Sequence, residues 1–404
     1  MDETSSFLVQ DFLALTVGIV VYFAGVLATR RFALLRDFNI PEPVSGGLIA
    51  ALVTLVIFLT LNVSVTFELD TRDQLLVYFF TAIGLNARFS DLVAGGRPLA
   101  ILLALTLAFM VLQNVVALIG TGLFGLPQAV SVLAGTAALI GGHGTAIAWA
   151  PEIRDNLGIA NAMEIGIACA TFGLILASLI GGPIAKLLIE RNDLTPDPDA
   201  EDHLVGLSYD TENRPTINHL TLMGALLALH VAIILGYVAQ QVLEGAGLKL
   251  PLFVPCLLAG ILLSNTVPFL LPKLPWPAHT PALAVISDYS LNIFLAMSLM
   301  SMQLWTLAGL AGPLLGILAL QAVMAFLFIV FVLFRVMGSD YEAAVLGAGF
   351  GGFTLGATPT AIANMTAVTK KHGPAPTAFI ILPLVAAFFV DLANAFIIQT
   401  FLPS

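Results

Sequence analysis

The sequence predicts an all-α polytopic membrane protein: two inverted repeats of five transmembrane helices, each with a re-entrant hairpin before its last helix. Three observations carry that prediction. First, 59% of the 404 residues are hydrophobic and only 10% are charged, and the mean hydropathy is +1.00. A water-soluble domain has too little interior for so much apolar side chain. Second, GGHGTAIAW at 141–149 and GGFTLGATPTAIANM at 351–365 are rich in glycine and small polar residues, although apolar sequence surrounds both. Third, the second half of the chain echoes the first.

A helix needs about 20 apolar residues to cross the hydrocarbon core. Such runs fall at 7–29, 44–61, 74–94, 98–124 and 159–189, then at 218–243, 251–271, 284–305, 311–337 and 377–402. The opening MDETSSFLVQD is acidic, and Arg30 and Arg31 follow the first run instead of preceding it. That is the reverse of a cleavable signal, so the first span reads as a retained signal anchor. The glycine-rich stretches, about 129–150 and 342–368, each lie between the fourth and fifth run of a half and have room for two short helices and a turn. Lipid cannot satisfy free N–H and C=O groups, so irregular backbone at membrane depth must be wrapped in protein or line a water-filled cavity. A re-entrant hairpin therefore fits better than a crossing. Paired interruptions of this kind point to the binding site of a secondary transporter.

The domain reading follows: an N-terminal repeat at 1–189, a linker at 190–217 and a C-terminal repeat at 218–404. The linker is rich in proline and acid (TPDPDAEDHL), holds much of the net charge of −10, and carries no chemistry. The repeat shows as Thr145-Ala146-Ile147-Ala148 recurring at Thr360-Ala361-Ile362-Ala363, an offset of 215, with Pro41 and Val44 echoed by Pro251 and Val254 at 210 and Leu85 by Leu299 at 214. Lysine and arginine set the orientation. With the N-terminus outside, Arg30, Arg31, Arg36, Arg88, Arg97, Lys186, Arg191, Arg214, Lys273, Arg335, Lys370 and Lys371 fall inside, and only Arg72, Arg154 and Lys249 fall outside. An odd number of spans per half then inverts one half relative to the other. Both termini are expected to be periplasmic and the linker cytoplasmic.

Composition also excludes functions. An acidic chain is a poor partner for nucleic acid. Cys169 and Cys256 lie in apolar runs and make neither a disulfide framework nor a metal pattern. There is no Walker motif. An intramembrane enzyme built on His143 with Glu164 or Asp391 would need a nucleophile or metal cluster at usable spacing, and the sequence offers none, so an enzyme is not expected. A channel is a third class; it would show no concentrative uptake.

The candidate site gathers at the interruptions. Gly142 and Gly144 permit tight turns and close approach of backbone to a ligand, as do Gly141, Gly347, Gly349, Gly351, Gly352 and Gly356; close helix packing is the plainer use of the same glycines. Hairpin tips would point helix N-termini, with free N–H groups, at an anion. His143 at the first vertex could donate to a carboxylate or titrate with transport. Thr145, Thr358, Thr360 and Asn364 offer hydroxyl and amide oxygens to substrate or sodium, with Pro359 freeing a carbonyl nearby. Asp391, in the last run, is expensive at membrane depth and should meet a substrate ammonium, a sodium ion or a structural partner. Asn394, three residues on, shares its face. Sodium ligands are thus sought among Asp391, Asn394, Thr360 and Asn364. Gln113, Asn114 and Gln321 read as interhelical hydrogen bonds first and substrate contacts second. A lone carboxylate beside an anion favours a substrate that also carries positive charge.

IPEPVSGGL (40–48), GLNARFSDL (84–92), GGHGTA (141–146), ACATFGL (168–174), GGPIA (181–185) and LGATPTAIANM (355–365) together resemble the bacterial sodium/glutamate symporter family, from about residue 40 to near the C-terminus. The resemblance implies sodium-coupled uptake of L-glutamate at the inner membrane, sodium as coupling ion with no other cofactor, inverted repeats, paired re-entrant loops and a homodimer. One position departs from the pattern: the second vertex is read as GGFT, with Thr354 where the family is associated with glycine. A sodium- or proton-coupled carrier of another small carboxylate, such as citrate or a 2-hydroxy acid, is the alternative. The charge count makes a topological prediction. A cysteine placed in the 190–217 linker should react with a membrane-impermeant thiol reagent only from the cytoplasmic face, and labelling from the periplasmic face would reverse the orientation.

Overall fold

The structure, a computed structural model, describes residues 5–37, 40–87, 96–196, 217–245, 250–307 and 309–403. The linker from 197 to 216, motif residues 88–92, and the cations Arg88, Arg214 and Lys249 lie outside the described residues. The main helices are α1 (Asp11–Arg31), α2 (Glu42–Leu61), α3 (Asp70–Asn86), α4 (Gly96–Leu123), α5 (Val130–Leu133), α6 (Gly142–Leu157), α7 (Ala162–Asn192), α8 (His219–Gly245), α9 (Phe253–Leu270), α10 (Pro281–Met300), α11 (Ala311–Phe328), α12 (Tyr341–Leu355), α13 (Thr358–His372), α14 (Pro376–Phe388) and α15 (Val390–Phe401). Among the described residues eight helices are long and apolar enough to cross a membrane, or nine if α14 and α15 form one broken span.

That is fewer than the ten apolar runs of the sequence, and the difference is α3. It has 17 residues, at the lower edge of the length that crosses a membrane, with Asp70 and Asp73 in its first turn. Another departure is a small parallel ribbon in which β1 (Ser5–Val9) pairs with β2 (Val63–Phe67). The β-forming residues at its start thus leave the first apolar run, and α1 begins at Asp11. The Asp11 backbone N–H donates to the Glu68 carboxylate, and the Asp11 carboxylate accepts from the Thr71 N–H at 2.9 Å. The starts of α1 and α3 are thereby stapled together.

The chain forms two compact units. The first holds residues 1–87, 147–167 and 215–311; the second holds 88–146, 168–214 and 312–404. Each draws on both halves of the sequence. In the first, α1 packs on α2, α8 on α9, α2 on α10 and α3 on α9; α3 also meets α10. Glycines let these helices approach closely. A Cβ on Gly25 of α1 would lie 1.9 Å from the Glu42 carbonyl oxygen, and one on Gly84 of α3 would lie 2.3 Å from that of Leu257 in α9. Around these crossings Val44, Phe294 and Leu299 fill one core, and Leu85, Leu229 and Leu283 another.

In the second unit, Ala348, Gly349 and Gly352 of α12 lie against Asn364, Met365 and Ala361 of α13. Gly352, nearer the break, meets Ala361, and Gly349, farther back, meets Met365, so these helices form an antiparallel hairpin. The chain breaks at Gly356–Ala357, so the vertex is there and not at GGFT, whose residues 351–354 are helical. The earlier stretch is less regular than two short helices. Only α5 is helical before wide turns, in which Ala137 N–H bonds Val132 C=O at 3.1 Å and Gly141 N–H bonds Thr136 C=O at 2.9 Å. Gly142 then opens α6 with φ +68°, a value that glycine adopts without strain.

Two glycines in the first unit should respond oppositely to alanine. Gly25→Ala should destabilise by about 1–3 kcal/mol through overpacking. Gly224→Ala in α8, with no atom within 4 Å of its added Cβ, should gain up to about 1 kcal/mol in helix propensity. Melting of both purified variants checks the pair.

Candidate functional site

Breaking a helix inside apolar protein strands carbonyls that lipid cannot satisfy. In the second unit buried carboxamides meet that demand. Gln113 of α4 donates from Nε2 to the Thr354 carbonyl at 2.9 Å, at the end of α12. Gln321 of α11 donates to the Ala134 carbonyl at 3.2 Å and to the Gln113 carbonyl at 2.8 Å. Asn114 accepts the Thr136 N–H at 2.9 Å, and Asn394 of α15 donates to the Thr136 carbonyl at 3.0 Å. All four side chains are fully buried. Gln113 and Gln321 stand 208 residues apart, close to the repeat offsets. Each serves the interrupted stretch of the opposite half.

Both stretches also abut one segment of α7. His143, in the first turn of α6, places Nε2 3.0 Å from Thr171 Oγ1. A Cβ on Gly173 would lie 2.4 Å from the Leu355 carbonyl oxygen at the second break and 2.7 Å from Leu139 Cδ2 of the first stretch. Gly356 rests on Leu174 and Ala177. Asn364 Nδ2 donates to the Ala177 carbonyl at 3.0 Å and the Ala348 carbonyl at 3.4 Å. Gly181 leaves room for it, since a Cβ there would lie 2.2 Å from that nitrogen. Gly173, Ala177 and Gly181 recur every fourth residue, and this small-residue stripe is the signal by which sequence reasoning could have found the wall. Thr171 and Gly173 sit in ACATFGL and Gly181 in GGPIA, but their contacts with the breaks were not anticipated.

The sequence-predicted residues divide into groups. Gly142, His143, Gly144 and Thr145 form the first turn of α6, with His143 and Thr145 buried. Asn394 joins them: its Nδ2 would be 2.6 Å from a Cβ on Gly141. Thr358 opens α13, whose N-cap Ala357 provides no side-chain cap; Thr360 and Asn364 follow on one face. Thr360 is fully buried, and its Oγ1 has no hydrogen-bond partner among the described residues. Asp391 lies in the first turn of α15, just after the break at Phe389, and not in mid-helix as the apolar run suggests. Its side chain has no ion pair among the described residues. Thr354 spends its hydroxyl hydrogen on the Phe350 carbonyl at 2.7 Å. Glu164 belongs to the first unit, where it accepts the Gln303 N–H at 3.1 Å.

The site therefore offers helix starts with free N–H groups, suited to an anion, and neutral oxygens suited to a hard monovalent cation. Among the described residues no three His, Cys, Asp or Glu side chains gather as a metal cluster. A cleft of about 580 Å³ between α4 and α11 is lined only by apolar side chains such as Leu112, Val323 and Phe331. It has nothing with which to recognise a charged solute.

Asn364 and Gly181 should be energetically coupled. Asn364→Ala should cost about 2 kcal/mol for two buried hydrogen bonds. Gly181→Ala displaces the same amide, so its cost should fall by roughly 0.5–3 kcal/mol in the Asn364→Ala background. A double-mutant cycle in detergent measures this, and strict additivity would refute the contact.

Residues 8–374 match the family described as sodium/glutamate symporter. A protein of Escherichia coli strain K12 named sodium/glutamate symporter is 39% identical over 389 residues, covering 96% of each chain. One of the same name from Haemophilus influenzae is 38% identical over 397 residues, covering 98% of this chain and 97% of its own. With its interrupted stretches and their motifs inside the matched region, the chain belongs to the sodium/glutamate symporter family.

Proposed function

We propose that this protein is a secondary active transporter that carries L-glutamate inward with sodium as the coupling ion. One observation carries the reading: the family match runs over nearly the whole chain, 8–374, and includes both interrupted stretches. The family is one of transporters, so the chain is not an enzyme, and sodium is the only inorganic partner its work requires. In this reading the first turns of α6 and α13 receive substrate carboxylates through free N–H groups. Gly142, His143, Gly144, Thr145, Thr358, Thr360 and Asn364 line that position. Asp391 meets the substrate ammonium or a sodium ion, and Asn394, Thr360 and Asn364 supply neutral oxygens to sodium.

The mechanism proposed is alternating access, with α5–α6 and α12–α13 as re-entrant hairpins in a mobile bundle. The division of the chain bears on it: the second unit holds all of the second interrupted stretch and the first stretch up to Ala146, while the first unit holds the early spans of both halves and α6 from Ile147 onward. An inverted repeat, 1–189 against 218–404, is supported by the pairings in the first unit. Exchanging α1, α2 and α3 with α8, α9 and α10 turns the α1–α2 contact into α8–α9 and the α2–α10 contact into α9–α3, and all four occur. A homodimer in the inner membrane, with periplasmic termini and a cytoplasmic linker at 190–217, completes the reading.

The test is uptake of labelled L-glutamate into proteoliposomes with an inward sodium gradient, then with potassium in its place. Accumulation above equilibrium only with sodium is expected. Accumulation with either cation would make the proton the coupling ion. Asp391→Asn should lower uptake about 10- to 100-fold, the worth of one contact to a charged group, and weaken its sodium dependence; normal uptake would remove Asp391 from the site. If citrate competes as well as glutamate, Asp391 serves only the cation and the carrier is one of small carboxylates.

A further inference from the structure

The two halves turn back from their interrupted stretches in the same way. α6 ends at Leu157 and the chain turns on Gly158 at φ +73°; α13 ends at His372 and the chain turns on Gly373 at φ +116°. Glycine takes both values without strain, as a helix C-terminal turn requires. The Gly158 N–H closes on the Arg154 carbonyl at 3.1 Å, and the Gly373 N–H on the Thr369 carbonyl at 2.9 Å. The two glycines stand 215 residues apart, the offset that also separates Thr145 from Thr360. The corners thus correspond, so a difference in what holds them bears on how each is used.

They are held differently. The second corner closes on its own hairpin. The Tyr341 hydroxyl, at the start of α12, donates to the Gly373 carbonyl at 2.6 Å. The Glu342 carboxylate accepts the Thr377 N–H at 3.2 Å and the Ala378 N–H at 2.9 Å, at the start of α14. All of these residues belong to the second unit. The first corner is fastened instead to the turn that follows α10. Asn161 Nδ2 donates to the Thr306 carbonyl at 3.1 Å, and the buried Glu164 accepts the Gln303 N–H at 3.1 Å. Met163 and Leu304 pack on the core that holds Ile147, Ile167, Phe294 and Leu299. Trp305 in that turn stacks on Phe58 of α2 at 4.2 Å. Every one of these residues lies in the first unit.

The first corner must therefore connect to the second unit through helices that can flex. α6 enters the first unit at Ile147, and α7 leaves it at Ile167. Pro151 inside α6 has no N–H for the carbonyl four residues back, that of Ile147, so α6 is weakest where it crosses. Gly166 stands beside the crossing of α7 and loosens that helix in turn. We infer that Asn161 and Glu164 are positioning residues that anchor the α6–α7 corner to the first unit. During transport α6 and α7 flex at 147–151 and at Gly166, while the second hairpin moves whole with α14. Glu164 serves as a hydrogen-bond acceptor in this role, and its charge is not what transport uses. The inference rests on the alternating-access reading and deepens it.

The test is glutamate uptake by variants in proteoliposomes. Glu164→Gln keeps an oxygen for the Gln303 N–H, so its maximal rate should stay within about twofold of the unaltered chain. Glu164→Ala should lower the maximal rate about tenfold, the worth of one hydrogen bond to a charged group. Its half-saturating glutamate concentration should hardly move, because residues 142–145 are untouched. A rate as low in Glu164→Gln as in Glu164→Ala would overturn the positioning role and make the charge the requirement. In Asn161→Cys/Thr306→Cys the two new thiols are joined by a short bifunctional reagent, the native Cys169 and Cys256 being buried. Joining should leave uptake within about twofold of the unjoined variant, since an anchored corner does not part from the turn after α10. Loss of uptake on joining, in a variant that takes up glutamate before it, would overturn the anchor and leave the function standing. No sodium-driven uptake by the unaltered chain would overturn the function on which the anchor rests.

Discussion

The second unit depends on one constraint: a helix that stops inside apolar surroundings must find donors for its freed carbonyls. Here glutamine and asparagine side chains supply them. Gln113 and Gln321 lie 208 residues apart and cross over, each holding backbone in the other half's interrupted stretch. A carboxamide suits this task because it donates strongly without bringing a charge into the interior. The same choice leaves an acceptor oxygen behind each donor.

Close backbone approach is the complementary device. Gly173, Ala177 and Gly181 give α7 a face without bulk, and the second hairpin's break and Asn364 lie on it. The first stretch reaches the same helix through His143 and Leu139. A single helix thus registers two interruptions that lie about two hundred residues apart in sequence. Small residues make the contact by van der Waals approach, and a few directed hydrogen bonds fix its register. The family's glycine-rich motifs are accordingly spread over α7 as well as over the stretches themselves.

Much of this was legible in advance. The apolar runs gave the helices, because hydropathy measures directly what lipid tolerates. Glycine and threonine between those runs located both interruptions, and Gln113, Asn114 and Gln321 could be recognised as interhelical hydrogen bonds. Other features were not legible. The second vertex is Gly356–Ala357, one turn beyond GGFT, because helix geometry continues through glycines when their hydrogen bonds are kept. Asp391 begins a helix where hydropathy sees an unbroken run, since Phe389 is as apolar as its neighbours. The ribbon of β1 and β2 needs a partner strand about sixty residues away, which no local pattern reveals.

What the sequence determined by itself is the environment and the inventory: a membrane-embedded helical chain, two places where helices must break, and the polar groups available near them. These follow from transfer free energy and local backbone preference, both readable residue by residue. Tertiary structure decided which donor meets which carbonyl, that His143 lies beside Thr171, and that Thr354 spends its hydroxyl hydrogen on its own helix. Such matters depend on the direction in which each side chain points and on backbone approaches too close to admit a Cβ. Chain order does not encode those distances; packing does.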